Sequence, residues 1–81
     1  MGYRLNPTGN LEDNFTTVLD YDGSGNLIYS GKAEPGTSKT VGAWQIKKYT
    51  YSGDNLTDIQ FAGGKGDFIY IWNDRAGYSY S

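Results

Sequence analysis

The sequence predicts an all-β protein built as a small antiparallel sheet, sandwich or barrel of five to six short strands. Several runs of residues alternate apolar and polar side chains with a period of two, which is the pattern of half-buried strands. Glycine-rich segments separate these runs and are typical of tight turns. The composition agrees, since twelve glycines, eight tyrosines and three phenylalanines stand among few strong helix formers in sequence.

The domain organisation follows from length and local pattern. The chain has 81 residues, which suffice for one domain. Residues 1–14 include Pro7 and Gly9 and show little periodicity, so they are expected to form an extended arm. Residues 15–81 are expected to form a single β domain.

The first hairpin is predicted from two alternating segments, residues 15–21 and 26–34. The stretch between them, DYDGSGNL, resembles the first half of an EF-hand calcium loop. The twelfth position of such a loop carries a glutamate that completes the cation's oxygen shell, and here that position is Gly31. Turn chemistry alone explains the remaining residues, so a hairpin tip is predicted and no metal site.

The second hairpin is predicted at residues 43–51 and 56–62, with SGDN as its turn. Pro35-Gly36 upstream predicts a type II turn that opens a polar loop. In the segment 43–51, Tyr49 and Tyr51 are out of phase with the apolar residues that precede them. A β-bulge at Lys47-Lys48 would restore the phase and is therefore expected.

The core is expected to pack around a few large side chains from these strands, with little Leu, Ile and Val available. Its predicted members are Trp44, Ile46, Ile59, Phe61 and Leu19.

The C-terminal segment is less regular. Residues 68–72 suit a strand or a single helical turn, residues 73–77 a turn, and residues 78–81 a terminal strand. Trp72 is assigned a structural role. Arg75 is expected to fix the final turn by hydrogen bonding to a carboxylate or to carbonyl groups. An unpaired edge, either the strand at 15–21 or the tail at 78–81, is expected to pair with a neighbouring subunit.

The tyrosines allow two interpretations. They supply core and subunit-interface surface, because a tyrosine buries its ring while its hydroxyl keeps a polar partner. They also suit a surface that binds a sugar or stacks on nucleic-acid bases. The interface interpretation is preferred, and it names Tyr49, Tyr51, Tyr70, Tyr78 and Tyr80.

Charge and composition bear on the class of function. The net charge is −2 and the pI is about 4.7, which disfavours binding to nucleic acid. Histidine and cysteine are absent, which removes the commonest general base and the commonest ligands of transition metals. No spacing of acidic residues is typical of a glycosidase. The sequence therefore predicts neither an enzyme nor a cofactor, and it predicts no contact with membranes, since no apolar run approaches ~20 residues.

Residues 26–81, roughly, resemble a group of small virion-associated structural proteins of tailed bacteriophages. The elements that carry this resemblance are Gly31-Lys32-Ala33, Pro35-Gly36-Thr37, Trp44-Gln45-Ile46-Lys47-Lys48, Phe61-Ala62-x-Gly64, Phe68, Ile71-Trp72, Asp74-Arg75-Ala76 and Tyr78-Ser79-Tyr80.

The resemblance implies a structural role in the virion, as a capsid decoration or tail-associated subunit, and supplies no catalytic residues. It implies other virion proteins and further copies of the chain as partners, and synthesis in the host cytoplasm before incorporation. The alternative is a small carbohydrate-binding module that uses exposed Tyr and Trp for host attachment. An engineered β-protein fits less well, because the long polar loop and the expected bulge are irregular.

Overall fold

The structure, a computed structural model, describes residues 3–5 and 11–81, with side chains for residues 14–81. It is mostly β. Four strands form an open antiparallel sheet in the order β3-β4-β5-β6, so that β3 and β6 are its edges. The elements are β1 (Tyr3–Leu5), β2 (Leu11–Asp13), β3 (Thr16–Tyr21), β4 (Leu27–Ala33), β5 (Gln45–Ser52), β6 (Asn55–Phe61) and a 3-10 helix (Trp72–Gly77).

The predicted arm at residues 1–14 is only partly described. Within it, β1 and β2 pair with each other as a separate two-stranded antiparallel sheet. Both segments are extended strands, and the assignment of residues 1–14 to an arm remains a prediction. The rest of that expectation, at residues 1–2 and 6–10, lies outside the described residues.

Both predicted hairpins form, and turn chemistry explains each tip. In the β3–β4 turn, Oδ1 of Asp22 accepts hydrogen bonds from the backbone N–H groups of Ser24 and Asn26, at 2.8 and 3.0 Å. In the β5–β6 turn, Gly53 has φ +60° and Asp54 has a negative φ, the pattern of a type II′ turn. Gly36, with φ +87°, supplies the predicted turn after Pro35.

The bulge expected at Lys47-Lys48 is absent, and that prediction is wrong. Both lysines are in continuous register with β4 and with β6. The register shifts instead beside each hairpin turn, and the extra residues are Ile28 on β4 and Thr57 on β6. No correction of phase is needed at the lysines, because β5 carries apolar residues on both of its faces.

One face of the sheet is covered by the chain's own C-terminal segment, residues 69–81. Alternation and register place these residues on the covered face: Val18, Asp20, Tyr29, Gly31, Ala33, Ile46 and Lys48. The buried core lies there and consists of Ala33, Trp44, Ile46, Ala62 and Trp72. The two indoles pack with ring centroids 6.3 Å apart.

The C-terminal segment does not form the terminal strand expected at 78–81. It makes isolated bridges, Trp44 with Tyr70 and Ala62 with Tyr80, and is helical between them. The 3-10 turn brings the indole of Trp72 down onto Gly31, where a Cβ atom would lie 2.6 Å from Cε3 of the ring.

Leu19 and Ile59 are not in the core, contrary to expectation. Each is about half exposed, at 50% and 51%, because each projects from the opposite face of the sheet. Phe61 projects from that same face and is half-buried. Neither a sandwich nor a barrel is closed by the part of the chain that the structure describes.

Candidate interaction surface

The second face of the sheet, here called the exposed face, is rich in apolar side chains. Four of the large apolar residues that are most exposed lie on it: Leu19, Tyr21, Leu56 and Ile59. They come from both edge strands, and Tyr49 and Tyr51 lie on β5 between them. A sheet face with several exposed apolar side chains often marks an interaction site.

The two tyrosines of the exposed face are held in place by their hydroxyl groups. The hydroxyl of Tyr49 is 2.9 Å from Oγ of Ser30, a buried serine on β4. The hydroxyl of Tyr51 donates to the carbonyl of Leu27 at 2.8 Å. Both side chains are half-buried, so the rings are fixed parts of the surface. A surface held in this way loses little conformational entropy when a partner binds.

One corner of the exposed face is occupied by the loop after β6. Nε2 of Gln45 donates to the carbonyl of Gly66 at 2.9 Å, and the ring of Phe61 lies against the same glycine. The ammonium group of Lys47 lies 5.6 Å from the centroid of the Phe61 ring. Polar groups thus border the apolar residues at this corner, and the exposed apolar side chains lie toward the hairpin turns.

The other three tyrosines that were predicted to form an interface lie in the C-terminal segment and pack within the molecule. The rings of Tyr70 and Tyr78 meet edge to face at 4.9 Å, and the ring of Tyr80 lies 5.7 Å from that of Tyr29. All three are half-buried. The five tyrosines therefore divide between two sides of the sheet and do not form one continuous surface.

Burial raises the pKa of Tyr80 from 10.0 to about 12, with the neighbouring hydroxyls of Tyr29 and Tyr78 contributing in the same direction and Arg75 opposing them. The Tyr80 hydroxyl donates to the carbonyl of Arg75 at 2.6 Å, which also favours the neutral phenol.

Arg75 connects the C-terminal segment to an edge strand. Its Nε and Nη2 atoms each lie 3.0 Å from Oδ2 of Asp20 on β3, and Nη1 donates to the carbonyl of Trp72. The guanidinium also stacks on the indole of Trp72 at 4.5 Å. Arg75 thus bonds both to a carboxylate and to a carbonyl, as the sequence predicted. Its carboxylate partner lies 55 residues earlier in the chain.

No three acidic side chains of residues 14–81 are grouped in a way that could hold a metal ion. The described part of the chain encloses no pocket. Among the described residues, no helix combines the length and the apolar character needed to cross a bilayer.

Sequence reasoning missed two features of the sheet. Leu19 and Ile59 are predicted as core residues, although the alternation of Leu19 with Val18 already places apolar groups on both faces of the sheet. Gly31 was not recognised as the contact point of an indole. Its signal was a glycine in the middle of an otherwise regular strand, which often marks a close approach of another group.

No protein-family model, curated protein sequence or solved structure matches this chain.

Proposed function

We propose that the chain is a non-enzymatic structural component of a bacteriophage virion, a capsid decoration (cement) or tail-associated protein, that assembles through its aromatic surface and a β edge. The observation that supports this proposal is the difference between the two faces of the sheet. One face is covered by the chain's own C-terminal segment, and the other presents exposed Leu, Ile and Tyr side chains. The virion as the place of assembly is taken from the resemblance of residues 26–81 to virion proteins.

The physical argument is that a four-stranded open sheet with an apolar second face gains stability by covering that face. Burying apolar surface is favourable by about 25 cal/mol per Å². A partner layer on the exposed face would complete a two-layer sandwich, which is one of the three architectures that the sequence allows. On a virion, other virion proteins provide such a layer, and further copies of the chain are neighbours at the β edge.

Particle incorporation tests the proposal. Mass spectrometry and immunogold labelling of purified particles of the tailed phage that encodes the chain should find it on the capsid or tail. Ile59→Lys, on the exposed face, should abolish incorporation. Val41→Lys is the matched control, because Val41 has a similar exposed fraction, 48% against 51%, but lies in the loop between β4 and β5. Absence of the protein from mature particles would refute the virion role, and equal incorporation of both variants would refute docking through the exposed face.

The carbohydrate-binding alternative finds less support in the geometry. Both tryptophans are buried, at 1% and 5% exposure, so neither presents a face to a sugar. The hydroxyls of Tyr49 and Tyr51 are already bonded within the sheet. Tyr21 is the exposed ring that remains on this surface. A glycan array probed with the purified protein separates the two functions, since the structural role predicts no glycan signal.

A further inference from the structure

We infer that strand β3 is a self-pairing edge, and that two copies of the chain join their β3 strands antiparallel about a two-fold axis beside Leu19. The product would be one continuous sheet of eight strands, with the exposed faces of both copies on the same side. This inference rests on the proposed function, because it names one partner and the edge through which it is bound.

The direction of the backbone groups on β3 follows from two independent observations. The N–H of Asp22 donates to the carbonyl of Asn26 across the turn, at 2.9 Å, so the backbone of Asp22 faces β4. Direction alternates along a strand, and β3 has no extra residue of its own, since the bulge lies on β4. Thr17, Leu19 and Tyr21 therefore direct their N–H and C=O groups away from β4.

The far side of the sheet gives the same result. The N–H of Ala62 donates to the carbonyl of Ile46, so even-numbered residues of β5 face β6 and odd-numbered residues face β4. The odd-numbered residues of β5 are paired with even-numbered residues of β4, so the odd-numbered residues of β4 face β3. These are paired with even-numbered residues of β3, which again leaves the backbone groups of the odd-numbered β3 residues facing outward. Within the described residues, β3 pairs with β4 alone.

The two edges of the sheet differ in how well they are protected. On β6, the N–H of Phe61 donates to the carbonyl of Ser81 and that of Gly63 to the carbonyl of Ser79, so the tail occupies this end of the strand. The bulge at Thr57 disrupts the other end. Strand β3 has neither device, and it also lacks lysine and proline, the residues that commonly protect an edge. Its single charge, on Asp20, is paired with Arg75 on the covered face.

The side chains select one register and one kind of partner. With Leu19 opposite the second copy's Leu19, Thr17 lies opposite Tyr21, and all three outward residues of each strand are paired, which gives about six backbone hydrogen bonds. The apolar pair lies on the exposed face, and Asp20 lies opposite Val18. A shift that centres the axis on Asp20 or on Val18 would pair only two of the three outward residues within β3, and it would form about four backbone hydrogen bonds instead of six. A second copy thus gives hydrogen-bond partners to the outward backbone groups of β3 and brings no unpaired charge into the interface.

The first test uses substitutions at two equivalent positions. Leu19 and Ile59 are both about half exposed on the same face, and each lies on an edge strand with outward backbone groups. Leu19→Lys places two ammonium groups opposite each other and should raise the dimer Kd at least ~10-fold. Ile59→Lys should leave it unchanged. Analytical ultracentrifugation over a concentration series gives the Kd, and far-UV circular dichroism confirms that both variants are folded.

The second test measures proximity directly. The chain has no cysteine, so Leu19→Cys introduces a single thiol. Opposed residues of a hydrogen-bonded antiparallel pair have Cα atoms about 5.5 Å apart, within the range of a disulfide. Mild oxidation should give a covalent dimer for Leu19→Cys and none for Ile59→Cys at the same concentration.

The outcomes separate this inference from the proposed function. A wild-type chain that is monomeric at its highest soluble concentration, equal weakening by both lysine variants, or equal cross-linking of both cysteine variants would overturn the self-pairing of β3. A chain that is found in particles but is monomeric in solution would remove this inference alone. A β3 dimer that is missing from particles would remove the virion role alone.

Discussion

Gly31→Ala is predicted to destabilise the protein through one contact. A Cβ atom on residue 31 would lie 2.6 and 2.9 Å from two ring carbons of Trp72, and 3.1 Å from a methyl group of Val18. The indole cannot move away easily, because it is buried between the sheet, the ring of Trp44 and the guanidinium of Arg75. The substitution therefore overpacks the core.

The expected magnitude is the balance of two terms. Overpacking a core costs about 1–3 kcal/mol. Replacing glycine by alanine returns ~0.4–1 kcal/mol by restricting the unfolded chain. The net loss should be about 1–2 kcal/mol in the free energy of unfolding. For a domain of this size each kcal/mol lowers Tm by roughly 4–8 °C, so Tm should fall by about 5–15 °C.

Urea and thermal unfolding followed by tryptophan fluorescence measure this loss. Gly23→Ala is the matched control, because a Cβ at that exposed turn position meets nothing within 4 Å and φ is not positive there. In the background Trp72→Leu, the cost of Gly31→Ala should fall to nearly zero, since the clashing ring is gone. If Gly31→Ala and Gly23→Ala unfold alike, or if the cost persists without the indole, the contact between glycine and indole is not what the fold requires.

Three further predictions concern the groups around this contact and the first turn. Arg75→Ala should lower the free energy of unfolding, measured with urea, by roughly 1–3 kcal/mol. Arg75→Lys should recover little of this loss, because lysine lacks the planar group that stacks on Trp72 while it bonds Asp20. Full recovery by lysine would contradict this account. The raised pKa of Tyr80 means that folding favours its neutral phenol, so its contribution is fully present below pH 10 and is lost as pH rises toward 12. The stability difference between wild type and Tyr80→Phe should therefore shrink across that interval, and a constant difference would show that the phenol does not titrate with folding. Asp22→Ala should cost about 1 kcal/mol in the free energy of unfolding, because two turn amides lose their acceptor. Calcium should shift the Tm of neither the wild type nor this variant, since the Asp22 carboxylate is engaged in the turn. A calcium-dependent Tm of the wild type alone would restore the metal interpretation.

The sequence was informative wherever one short segment determines its own conformation. Alternation located the four strands of the main sheet, and the residues of DYDGSGNL, Pro35-Gly36 and SGDN specified their turns. What it could not supply was the relation between segments far apart in the chain. The partner of Arg75 and the contact beneath Trp72 both depend on how residues 69–81 fold back across the sheet, and no local periodicity encodes that path.

The same difficulty explains why Leu19 and Ile59 were assigned to the core. In a sheet with one polar face, alternation alone distinguishes inside from outside. Here β5 carries Ile46 on one face and Tyr49 on the other, so alternation predicts two apolar faces. It does not indicate which of the two faces the chain covers with its own C-terminal segment.

The choice between those faces follows from Gly31 and Asp20. A glycine in the central strand β4 makes room for an indole directly against the sheet, and Asp20 on the edge strand holds the arginine that stacks on that indole. Both residues belong to the same face, so the C-terminal segment settles there and leaves the face of Leu19 and Ile59 exposed. The ion pair also removes the one charge that would oppose pairing at the β3 edge. The face and the edge that we propose for association are thus the ones that intramolecular packing leaves uncovered in the described part of the chain.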